Sequence, residues 1–261
     1  MRVVRSFLLV LAIGVGICFT SAYGSTPSDL PPLQTVIERV MQTSAVENSE
    51  YHLFNQHYTY TRQKTTEFYD ISGNLKDRQV RQSTNTPSPQ VVIAAPQPVL
   101  RPVAYHKEAA GADGPSVHGV SLGKKEDLLN PDLIKRYTIT ITGREMINGR
   151  PALIVDFKPA SDSLPILNIK DRVLNCIAGR AWVDEDDYVL EKVQLHLTQK
   201  VSALGGLVGT ISKFSLSFDR DRTADGFWFT RDLNWSVEAR EATYQRVVIH
   251  HEEINGVQKT L

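Results

Sequence analysis

The chain has 261 residues and 29.2 kDa, with 29 basic and 29 acidic side chains and a formal net charge of zero. That balance excludes a nucleic-acid binder working through bulk positive charge, which phosphate contacts require. Two cysteines are too few for a disulfide framework or a cysteine-rich zinc site.

The first 24 residues read as a secretory signal peptide. Arg2 and Arg5 form a positive start, an apolar run follows to Thr20, and Ala22 and Gly24 are small residues placed for cleavage before Ser25. Two other readings exist. An uncleaved anchor would need a longer apolar span, and a lipoprotein signal at Cys18 would want a small residue where Ile17 stands. Cleavage places the protein in the periplasm and leaves residues 25–261 as one domain, with 27 basic against 29 acidic residues. It also leaves Cys176 without an internal partner. No helix N-terminus or base adjoins it in sequence, so a buried inert thiol is expected.

Ser28 and Asp29 ahead of Pro31 and Pro32 predict a capped helix start. Leu33, Val36, Ile37, Val40 and Met41 then recur at helical spacing, predicting an amphipathic helix of about four turns ending near Val46. From His57 the period changes to two. The sequence predicts a hairpin turning at Ser72-Gly73-Asn74, whose polar return strand suits a sheet edge. Residues 83–123 hold six of the 13 prolines and read as an extended insertion. Residues 124–136, broken at Asn130-Pro131, predict two short helical turns.

The rest alternates as strands. Ile139 and Ile141 turn at Asn148-Gly149 into Val155 and Phe157, and a loop is expected over 160–175. Strands follow with Trp182, then with Val193, Leu195 and Leu197. Gly205-Gly206 marks a bend. Phe214, Leu216 and Phe218 turn at Asp225-Gly226 into Leu233 and Trp235, and a last strand runs over 245–253. About nine strands with short connections imply an antiparallel meander with one apolar face. The fold class is mainly β with a few helices: a curled antiparallel sheet or half-barrel wrapped around the amino-terminal amphipathic helix.

Three stretches carry a family resemblance: residues 143–159, ending Phe157-Lys158-Pro159; the Trp182-Val183-Asp184 strand end; and the Asp225-Gly226-Phe227-Trp228 turn opening a long strand. Together they resemble the superfamily of periplasmic lipoprotein carriers, the lipoprotein-sorting proteins, over 137–253. The resemblance implies a half-barrel of about eleven strands, closed by helices, whose apolar cavity takes up lipid or lipoprotein acyl chains. It also places Arg62 near the position where such carriers hold their closed cavity with an arginine. Motifs of this kind mark turns and packing, so they speak to fold more than to function.

No catalytic residues, metal ligands or cofactors are expected. No Gly-x-Ser-x-Gly elbow or phosphate loop occurs. His250-His251-Glu252-Glu253 on a strand would place at most two ligands on one face, and Asp184 to Asp187 reads as a soluble turn. The expected function is therefore non-enzymatic binding of an apolar ligand. The expected cavity lining is Ile139, Ile141, Val155, Phe157, Val193, Leu195, Leu197, Phe214, Leu216, Phe218, Leu233 and Trp235. The alternative is an envelope protein-interaction or sensory module with a self-filled core and no lipid cargo.

Overall fold

The structure is a computed structural model that describes residues 29–87, 116–117, 120–121, 134–161, 164–167, 169–203, 209–241 and 244–260. The signal segment, most of the proline-rich stretch, the two short turns before Ile134 and Gly205-Gly206 lie outside them.

Helix α1 spans Leu33–His57, about 37 Å at 1.5 Å per residue. It runs well past the expected end at Val46, because its buried stripe turns polar without breaking. After Val36 and Val40 the inward positions are Thr43, Ser44 and Glu47, then Tyr51 and the fully buried Phe54. Hydrophobic spacing alone stops where the stripe changes chemistry. The expected cap also differs. The N-cap position is Pro32, with no side-chain cap, and Asp29 pairs instead with Arg144 at 3.5 Å. The helix passes straight into β1 (Tyr58–Asp70). The Asn85 side chain covers this junction, donating to the Asn55 and Tyr58 carbonyls at 2.8 and 2.6 Å.

Strand β1 turns at Gly73 into β2 (Leu75–Asn85), which is exposed along its length and lies at one edge of the sheet. A small hairpin, β3 (Ser116–Val117) with β4 (Val120–Ser121), stands apart. Strands β5 (Tyr137–Ile147) and β6 (Arg150–Pro159) are joined by Asn148-Gly149. Both turn residues have positive φ, 50° and 82°, the conformation a two-residue primed turn requires. The expected loop at 160–175 contains a short helix, α2 (Ile169–Leu174), pinned by Asp171, which pairs with Arg136 at 3.1 Å. Then come β7 (Ile177–Asp184), β8 (Leu190–Leu197), β9 (Val201–Ala203), β10 (Gly209–Arg222), β11 (Trp228–Glu241) and β12 (Tyr244–Lys259).

These strands form one ten-stranded antiparallel sheet in the order β2-β1-β12-β11-β10-β8-β7-β6-β5, with β9 paired to β10. Its path is open, with β2 and β5 at the ends. The sheet is curled. The guanidinium of Arg150 on β6 lies 5.9 Å from the Trp228 ring on β11, although β7, β8 and β10 separate those strands and a flat sheet would hold them about 19 Å apart. Helix α1 crosses the concave side, touching β5, β11 and β1. Cys176 is buried and free, as its sequence context implied.

Candidate binding site

The register places all twelve predicted lining residues on one face, in three rows across the sheet. One row runs Ile139–Phe157–Gly179–Leu195–Leu216–Trp235 and ends on His250 and Thr66. The next runs Ile141–Val155–Ala181–Val193–Phe218–Leu233 and ends on Glu252 and Lys64. Phe214 and Leu197 belong to a third, Phe214 opposite Val237 and Leu197 opposite Ile177.

A cavity of about 200 Å³ lies between these rows and the amino-terminal half of α1. Seven predicted residues line it: Ile139, Val155, Phe157, Val193, Leu195, Leu216 and Phe218. The other five do not. Ile141 packs at its margin, while Phe214, Leu197 and Trp235 belong to a neighbouring core cluster with Val173 and Val248. Leu233 is half-buried in the row that leads to Glu252. The sequence reading left out the helix side of the wall, Leu33, Val36, Ile37 and Val40, together with Tyr137, Ala181, Val183 and Leu190. The spacing of the helix residues was a sufficient signal, since an apolar stripe that covers an apolar face also lines whatever gap remains between them.

Two residues shape the floor. Gly179 faces Phe157 across the β6–β7 pairing. A Cβ there would stand 2.8 Å from the Phe157 ring and 2.3 Å from the Gln194 carbonyl oxygen, so only glycine lets this ring lie flat against the sheet. Tyr137 packs edge-on to Phe157 and donates its hydroxyl to the Leu174 carbonyl at 2.7 Å. Burial pushes its phenol up to about 12, so it stays a neutral donor.

The concave face becomes polar towards β1. His250 stacks on Trp235 and bonds Thr66 at 2.8 Å. Arg62 donates to the Tyr51 hydroxyl of α1 and pairs with Glu252 at 3.3 Å, while Lys64 meets Glu252 at 2.9 Å. Burial opposes the charge on Glu252, but His250, Lys64 and Arg62 hold its carboxyl below the usual range. His251 points the other way, to Asn234 at 2.6 Å, as strand alternation requires. Among the described residues no three His, Cys, Asp or Glu side chains group as metal ligands.

The two halves of α1 are held differently. Near its middle, Glu47 pairs with the buried Arg220 at 2.5 Å and Thr43 donates to the Asp187 carbonyl at 3.2 Å. Phe54 stacks with Tyr58, Tyr60 and Phe229 at centroid distances of 5.1, 5.3 and 5.1 Å. Among the described residues, the helix is held at the cavity by aliphatic packing, by Arg39 over the Tyr188 ring and by the Asp29–Arg144 pair just before it.

No family model matches the chain, and no curated protein matches it. Among solved structures, it is similar to a domain assigned to outer membrane lipoprotein sorting from Vibrio parahaemolyticus, at 12% identity and a TM-score of 0.32, over 86% of this chain and 93% of that one. It is similar to a DUF1329 family protein from Desulfovibrio piger at 11% identity and a TM-score of 0.31, over 89% and 95%. A LolA superfamily protein from Nitrosomonas europaea is similar at 8% identity and a TM-score of 0.30, over 89% and 95%. No helix among the described residues is long and apolar enough to cross a membrane.

Proposed function

We propose that residues 25–261 act in the periplasm as one non-enzymatic domain that binds an alkyl chain, from lipid or lipoprotein, in the trough beneath α1. The observation that carries this reading is the cavity itself, walled by hydrocarbon from five strands and one face of a helix. Burial there is worth about 0.8 kcal/mol per CH₂, and no covalent step is needed. At about 200 Å³ the gap is smaller than most ligand pockets, which run from about 300 Å³ upward. A chain of useful length therefore enters only as the amino-terminal half of α1 lifts. The half held by Phe54 and Glu47 stays in place and acts as the hinge end.

The test is fluorescence of N-phenyl-1-naphthylamine added to the mature protein. Saturable enhancement that Ala181→Leu abolishes, with circular dichroism unchanged, is the expected outcome. A wild-type protein that never enhances the probe overturns the reading. A second reading has its own support, because Val36 and Val40 already pack into the trough and are almost fully buried. In that case the domain presents its surface to an envelope protein and carries no lipid. Absence of probe binding together with a stable, lipid-free core would favour it.

A further inference from the structure

A second pocket, of about 890 Å³, opens beside the β10–β11 turn and shares no lining residue with the apolar cavity. Two β-bulges flank it. Trp182 pairs with Lys192 and Val183 with Leu190, so Glu191 is skipped. Asp219 pairs with Asp232 and Arg220 with Thr230, so Arg231 is skipped. Both skipped residues line the pocket. Bulges re-aim side chains and collect beside functional sites.

The cations of this wall are already matched. Arg150 meets Asp184 at 2.6 Å, Arg222 meets Asp187 at 2.7 Å, Arg231 meets Asp221 at 3.1 Å and Lys259 meets Asp225 at 2.9 Å. Glu191 is the exception. It is 1% exposed, and its Oε2 has no hydrogen-bond partner. A buried carboxylate oxygen without a donor is costly and calls for a reason. Tyr58, Trp228, Phe229 and Val257 give the same pocket carbon-rich walls, and the guanidiniums of Arg150 and Arg220 stand 5.9 and 6.0 Å from the Trp228 ring.

We propose that this pocket binds the primary ammonium group of a ligand against the Glu191 carboxylate, with the ligand's carbon stem along Trp228. The charges that act most on Glu191 are those of Asp184 on β7, Arg150 on β6, and Asp221 and Asp219 on β10. Burial, and then the nearby Asp184, push its carboxyl up to about 7, so an arriving ammonium replaces a proton. Binding should therefore tighten between pH 6 and pH 8.

The experiment follows the Glu191 side-chain carboxyl by carbon-13 NMR in the mature protein. Spermidine serves as a free amine in one arm, and vesicles of phosphatidylethanolamine against phosphatidylcholine serve in the other. The expected result is a saturable shift of that resonance with one amine source, tighter at pH 8 than at pH 6. Glu191→Gln should weaken binding at least tenfold while folding normally. A response to spermidine assigns the site to soluble amines, and a response to phosphatidylethanolamine alone assigns it to a lipid headgroup. A resonance that titrates but ignores both amines overturns the proposal, as does unchanged binding in Glu191→Gln. Loss of naphthylamine binding would bear on the apolar cavity only, so the two readings fail separately.

Discussion

The two halves of α1 lie on the same sheet but are attached by different physics. Between Leu33 and Val40 the contacts are aliphatic apart from Arg39 over the Tyr188 ring, and a void remains beneath them. Between Glu47 and Phe54 the contacts are a buried ion pair and a stack of four aromatic rings, with Phe54 fully buried. Aliphatic contact is non-directional and survives sliding or partial replacement by another alkyl group. A buried ion pair has one good geometry, and separating it strands a charge in the interior. One continuous helix thus has an end held by non-directional contacts and an end held by directional ones.

Substitutions sharpen that contrast. The largest effect is expected from Phe54→Ala, about 3–5 kcal/mol of stability in urea denaturation. Val40→Ala, at the liftable end, should cost about 2 kcal/mol or less and raise naphthylamine binding by enlarging the gap. Equal costs at the two positions would remove the distinction. Glu47→Ala should cost about 3–5 kcal/mol because Arg220, 6% exposed, loses its carboxylate partner. Gly179→Ala is expected to cost about 1–3 kcal/mol, since backbone atoms of β8 must move to admit its Cβ. Its effect on the probe should exceed its effect on stability, because the Phe157 ring is driven toward the cavity.

A pH effect follows from Glu191. Its folded carboxyl titrates near 7, above the ordinary glutamate value of 4.5. The folded state therefore holds this proton more tightly than the unfolded chain, and stability from this group falls as pH rises from about 4.5 to about 7. Denaturation midpoints of Glu191→Gln should lack that fall. The smallest effect is expected from Asp29→Asn, below about 1 kcal/mol, because Asp29 is 76% exposed and its pair with Arg144 is solvated. Faster probe entry in this variant would show that the amino-terminal end is the one that lifts.

Much of the sheet was legible because period-two alternation determines which face each residue takes. All twelve residues picked from alternation fall on the concave face, and the turns at Gly73, Asn148-Gly149 and Gly226 stand where turn chemistry placed them. The polar β2 lies at the edge its composition suited. What alternation does not determine is how far a helix covers that face, so Leu197, Phe214 and Trp235 proved to be packed core and not cavity wall. The carboxyl half of α1 was hidden because Thr43, Ser44 and Glu47 read as solvent-facing until Arg220 and Asp187 are brought against them. Glu191 was hidden for a related reason. A lone glutamate in an alternating strand looks exposed, and the bulge that buries it depends on how β7 pairs with β8.

Native mass spectrometry of residues 25–261 purified from periplasm, followed by solvent extraction and lipid analysis, decides whether the trough beneath α1 carries an alkyl chain. The expected result is a population heavier than the polypeptide by one acyl-bearing molecule, lost on extraction and lost in Ala181→Leu. A single mass equal to the bare chain, with no lipid in the extract and no naphthylamine binding, would contradict it.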